Sequence, residues 1–144
     1  MERIHATCVV VEGRGVLLRG GSGSGKSDLA LRLMSAGAAL VADDYADLDA
    51  RDGGLRATAP PATAGLLEVR GLGVVDVGCV KEAEVVLVVD LVPPDEVERM
   101  PEESACVFLG CPVRRVSLAP FEASAVAKVT LAVRLAAGGL ALAP

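Results

Sequence analysis

The stretch Gly20-Gly21-Ser22-Gly23-Ser24-Gly25-Lys26-Ser27 fits the phosphate-cradling pattern G-x-x-x-x-G-K-[ST], with Gly20, Gly25, Lys26 and Ser27 at the required positions. The spacing has a chemical reason. Glycines let several backbone N–H groups turn toward one anion. A lysine at position 26 reaches the outer phosphates, and the Ser27 hydroxyl is suited to ligating a magnesium ion. A helix directly after the loop adds the positive end of its dipole. No G-x-G-x-x-G register fits these glycines, which argues against a dinucleotide fingerprint.

A phosphate-transfer site also needs acids near Lys26 and Ser27, to hold the metal and to take or orient a proton. Three places supply them. Asp43-Asp44 closes the apolar run after the loop's helix and can divide those two jobs; an Asp-Asp pair is equally at home in a solvated turn. Asp90 ends the run Val85–Val89, the usual magnesium-holding arrangement of such enzymes, although an apolar strand often ends in an acid for no chemical reason. Glu68, in Leu-Glu-Val-Arg-Gly-Leu-Gly, offers a carboxylate beside Arg70 and a glycine turn; a charge pair at a strand edge explains it too. The lone histidine, His5, is the only side chain whose ordinary pKa lies near neutrality. A single histidine is more often a surface or core residue, but beside an aspartate it can tune that group's proton affinity.

The elements that must position these residues follow from pattern. Ile4–Val11 predicts a strand, Glu12-Gly13-Arg14-Gly15 a turn, and Val16–Arg19 a second strand feeding the loop. The spacing predicts a helix from Lys26 to Ala36, stopped by Gly37, then a short strand Ala38–Ala42. Tyr45–Arg51 and Leu55–Ala59 flank the hairpin turn Asp52-Gly53-Gly54. Leu66–Arg70 leads through a glycine turn into a strand Val74–Val77. Glu84–Val92 reads as a strand buried on both faces, Pro93–Glu103 as a surface helix or loop, and Cys106–Leu109 and Val113–Leu118 as strands. Glu122–Ala137 has Val126, Val129, Val133 and Ala137 at helical spacing.

Bulk properties narrow the classes. A chain of 144 residues without repeat or linker predicts one domain over residues 1–144. With 52% hydrophobic but only 2% aromatic residues, the core must be built from Val, Leu and Ala, which suits a sheet flanked by helices. The fold class expected is α/β with a mixed sheet. A net charge of −5 and no basic cluster argue against a nucleic-acid partner. The four cysteines form no C-x-x-C pair, so reduced cytoplasmic thiols are expected rather than a disulfide framework or zinc site. Glu2, Arg3 and His5 interrupt any signal peptide, and Asp90, Lys128 and Arg134 interrupt the apolar runs, so no membrane span is expected.

Taken in order, Ile4-His5, Gly15–Leu18, Gly20–Ser27, Leu40–Asp44 and Leu66–Val77 resemble the catalytic domain of the HPr kinase/phosphorylase family. The stretch Leu66–Val77 is its most specific part. The resemblance implies a P-loop kinase core similar to that of phosphoenolpyruvate carboxykinase. It also implies an ATP- and Mg²⁺-dependent protein-serine kinase acting on the HPr phosphocarrier protein, with a reverse phosphorolysis, a homo-oligomer and a cytoplasmic location. It makes Asp43 the group that handles the serine proton, with Asp44 supporting it or the metal. Glu68 assists with magnesium, Arg70 lies in the same site, His5 matches the family histidine, and Asp90 returns to a structural role. The family's glycine-rich loop is cut short at Val77–Lys81, its arginine near the last helix meets only Glu122–Val126, and its N-terminal domain and C-terminal tail have no counterpart here. Short forms of alphaproteobacteria are similar in these respects. Two other readings fit the loop alone: a nucleotide- or phosphate-binding module without kinase activity, and a P-loop kinase of a small metabolite.

Overall fold

The computed structural model describes residues 1–144. The strands are β1 (Glu2–His5), β2 (Thr7–Val11), β3 (Arg14–Arg19), β4 (Ala39–Ala42), β5 (Tyr45–Arg51), β6 (Gly54–Thr58), β7 (Leu66–Val69), β8 (Gly73–Asp76), β9 (Ala83–Leu91), β10 (Ser104–Phe108) and β11 (Cys111–Leu118). The helices are α1 (Lys26–Ser35) and α2 (Ala125–Ala136). Nine strands form one curled mixed sheet, and β7 and β8 form a separate hairpin. No helix is long and apolar enough to cross a membrane.

β9 is the centre of the sheet. It runs parallel to β3 on one side and to β11 on the other, and its first residues pair antiparallel with β6. Alternation explains its continuous apolar run. Leu87 and Val89 face a core shared with Leu29 and Leu33 of α1 and Val129 and Val133 of α2. Val88 faces a second core, formed where β5 and β6 curl back over the sheet with Leu48, Leu55 and Ala57. β3 divides in the same way, Val16 and Leu18 to one core and Leu17 to the other. Each fully buried leucine contributes roughly 1.5–3 kcal/mol. Cys8 lies inside the second core, where burial pushes its thiol up to about 12. All four cysteines are free.

Two boundaries differ most from the sequence expectation. Ile4–Val11 is not one strand: it breaks at Ala6, β1 pairing with β5 and β2 pairing with β3 and β4. Both halves carry strand-forming residues, and only their distant partners separate them. The last helix begins at Ala125, three residues later than its pattern suggests, because Ala119–Ser124 turns over the end of the sheet.

Candidate active site

The glycine loop connects β3 to α1 at the carboxyl ends of three neighbouring parallel strands, β3, β9 and β11. Ligand crevices of open α/β sheets lie at such ends. Gly25 opens the helix with φ 101°, a conformation that glycine adopts without strain. It also has no room for a side chain: a Cβ there would stand 2.8 Å from Phe121 Cζ. α1 then forms because Leu29, Ala30 and Leu33 recur on its core face, an Asp28–Arg32 pair of 3.0 Å spans one turn, and Gly37 at φ 109° ends it. Lys26 is 6% exposed, and its Nζ donates to the carbonyl oxygens of Gly20 (2.8 Å) and Gly21 (3.0 Å).

A cavity of about 460 Å³ opens over the loop, with Lys26, Ser27, Asp44, Glu68 and Arg70 in its walls beside Ser22, Gly23 and Gly25. Residues 26 to 70 therefore meet in one place. The β7–β8 hairpin makes this meeting happen. Leu67 anchors it in the helix-side core, which holds Glu68 and Arg70 over the loop.

Asp43 lies behind this cavity, 8% exposed at the end of β4. Its Oδ1 accepts hydrogen bonds from the Ser27 hydroxyl (2.7 Å) and the Thr7 hydroxyl (2.9 Å). Its Oδ2 accepts the Glu68 backbone N–H (3.0 Å). One carboxylate thus ties together α1, β2 and β7. Asp44 turns the other way. Its backbone is left-handed, φ 69°, its N–H donates to Thr7 Oγ1 (3.2 Å), and its carboxylate faces the cavity. His5 Nε2 stands 2.8 Å from Asp44 Oδ1, and the His5 ring lies 5.3 Å from that of Tyr45. The split of the first strand at Ala6 is what lets His5 and Thr7 reach adjacent aspartates.

Asp90 stands apart from this cluster. Arg19 of β3 grips both its oxygens, at 2.8 and 3.1 Å, and Arg115 of β11 donates to Oδ2. Burial pushes the Asp90 carboxyl up, but the hydrogen bonds from the two arginines outweigh it and hold the group below the usual carboxylate range.

Sequence reasoning did not find Thr7 or Phe121. Thr7 is a fully buried hydroxyl in an apolar strand, a pattern that signals a required partner. Phe121 is one of only two phenylalanines in the chain and is 70% exposed beside Gly25.

Fold and site together define a class: α/β proteins whose glycine loop, at the carboxyl ends of parallel strands, is faced by acids from neighbouring elements. Within that class the chain belongs to the HPr kinase family, since the HPr Serine kinase C-terminal domain model matches residues 1–134. It is 51% identical over 75 residues to an HPr kinase/phosphorylase of Clostridium novyi (strain NT), covering 52% of this chain and 24% of that protein. A Burkholderia lata HPr kinase/phosphorylase is 40% identical over 127 residues, covering 80% of this chain and 39% of that protein. The chain spans about a quarter of the length of the clostridial relatives it matches. The structure of the HPr(Ser) kinase/phosphatase from Coxiella burnetii is similar with a TM-score of 0.85 and 28% identity, covering 96% of this chain and 94% of that one.

Proposed function

We propose that this chain is a P-loop protein-serine kinase of the phosphoenolpyruvate carboxykinase-like type, transferring the terminal phosphoryl group of ATP to a serine of HPr, with phosphorolysis as the reverse reaction. The observation that carries the reading is the convergence of Lys26, Ser27, Asp44, Glu68 and Arg70 on one cavity in a chain of this family.

The donor set fits a hard divalent cation, since Ser27, Asp43, Asp44 and Glu68 all offer oxygen. No group of three or more acidic, histidine or cysteine side chains is close enough to hold a cation alone. Mg²⁺ would accordingly rest on Ser27 with one or two of these carboxylates and on substrate phosphates, as it commonly does. Bound there, it neutralises charge on the phosphate oxygens. The loop Gly20–Ser27 receives the phosphate chain, Lys26 stabilises charge on the transferred group, and Arg70 grips phosphate from the opposite wall.

The geometry favours a division of the aspartate pair opposite to the one expected from resemblance. Asp43 is buried and already accepts three hydrogen bonds, which suits it to orienting Ser27 and the metal. Asp44 faces the cavity and is held by His5, which suits it to the proton. The serine oxygen bonds to phosphorus as the bridging oxygen leaves with the nucleoside diphosphate, and the serine proton passes to Asp44. His5 keeps the accepting carboxylate oriented. In phosphorolysis an oxygen of inorganic phosphate bonds to the phosphoserine phosphorus, pyrophosphate is formed, and Asp44 passes the proton of the attacking phosphate to the departing serine oxygen. The reading carries a cytoplasmic setting and a homo-oligomer with it.

The test is phosphoserine formation on HPr, followed by mass spectrometry with MgATP. Lys26→Ala and Asp44→Asn are each expected to lower the rate by ~10²-fold or more, general-base help alone being worth ~10²–10⁴-fold. Full activity in Asp44→Asn would return the proton to Asp43. No phosphoserine with the unaltered chain, under conditions where MgATP binds, would overturn the kinase reading.

A further inference from the structure

A second cavity, of about 360 Å³, adjoins the glycine loop on the side away from Glu68. Ligand cavities usually span roughly 300–1,000 Å³. One wall is Pro93 and Pro94, which follow β9; the other is Ala119, Pro120 and Phe121, which follow β11; Ser24 of the loop joins them. We propose that this slot takes the nucleobase of the triphosphate, with Phe121 as its stacking platform. The proposal rests on the phosphotransfer reading and deepens it by assigning the other end of the same substrate.

Three observations carry it. The three parallel strands end together, so the segments after β3, β9 and β11 enclose a continuous crevice whose floor is the glycine loop. Phe121 lines both cavities and packs against Gly25, so a molecule with phosphates on the loop and its other end in the slot must pass that ring. The ring is 70% exposed in a chain with two Phe, one Tyr and no Trp, and a base on its face would cover it.

The walls are held in advance. The Val92 N–H donates to the Leu118 carbonyl (3.0 Å), Arg32 of α1 donates to the Pro120 carbonyl, and Lys128 holds Glu122 at 2.6 Å. Three of the wall residues are prolines, which have no N–H to present to a base edge. The slot therefore holds a base by its face.

Calorimetric titration of the full chain with Mg²⁺, using ATP and inorganic tripolyphosphate as separate probes, tests this. Phe121→Ala is expected to weaken ATP about 10-fold while tripolyphosphate binds as before, and Phe121→Trp to restore ATP. Pro94→Asp, on the opposite wall, should weaken ATP selectively as well. Equal weakening of both probes in Phe121→Ala would mean that the ring only supports the loop, and would overturn the proposal. So would ATP binding unchanged in either variant. The two readings fail separately. A chain that binds ATP through Phe121 but phosphorylates no serine keeps the base slot and loses the kinase reading. An active kinase indifferent to Phe121 does the reverse.

Discussion

Asp43 and Asp90 both close apolar strands, β4 at one edge of the sheet and β9 at its centre, yet their surroundings differ. Asp90 is met by arginines from both neighbouring strands, so its charge is answered inside the protein. Asp43 forms no ion pair; hydroxyls and one backbone N–H satisfy its oxygens. Lys26, the nearest cation along the loop, spends its donors on carbonyls. An acid whose charge is answered by two arginines has little left for a metal or phosphate. An acid met only by neutral donors has no fixed cation beside it and is open to one brought from outside. The lesson is that what an aspartate's neighbours leave unpaired, rather than its place at a strand end, decides whether it is open to a cation.

Three measurements test that contrast. Asp43→Asn should produce the largest effect, with phosphoryl transfer to HPr falling ~10²-fold or more. The Mg²⁺ concentration required should rise too, because the group orienting Ser27 has lost its charge. Transfer at the unaltered rate and Mg²⁺ dependence would erase the distinction between the two acids.

Asp90→Asn should act on stability instead, costing about 2 kcal/mol by removing the charged partner of two arginines. Its sign with pH follows from the lowered carboxyl. Stability from the ionised group is fully present above the unfolded carboxylate value and is lost as pH falls through the lower folded value. In chemical denaturation the gap between the parent chain and Asp90→Asn should therefore be widest near neutral pH and close in acid. A gap that widens in acid would contradict the assignment.

The smallest effect should come from Thr7→Val, which keeps the shape but removes the hydroxyl between Asp43 and the Asp44 N–H. We expect a cost of about 1 kcal/mol, with activity reduced several-fold because both aspartates lose a common brace. A stability loss without any change in activity would show that Thr7 holds the fold alone.

Much of this architecture was legible in the residues. The loop, the hairpin feeding it and α1 are local features, set by glycines, turn residues and a helical repeat within a few positions. The run Val85–Val89 announced a strand buried on both faces, and β9 has a core on each side. The cavity residues were legible as candidates from the loop pattern and from the order of the matching stretches. Their roles were not. Asp43 and Asp44 are identical in type and adjacent in sequence, so no pattern ranks them; one turns inward because Ser27, Thr7 and Glu68 meet it, and the other turns outward at a left-handed residue beside His5. Phe121 reaches Gly25 across 96 residues only because β11 ends beside β9 and β3. The sequence by itself determined which groups are present and the local elements that carry them, because those follow from composition and short-range spacing. The tertiary structure decided which carboxylate is buried, which is open and what faces the loop, because burial and hydrogen-bond partnership arise only from contacts between distant segments.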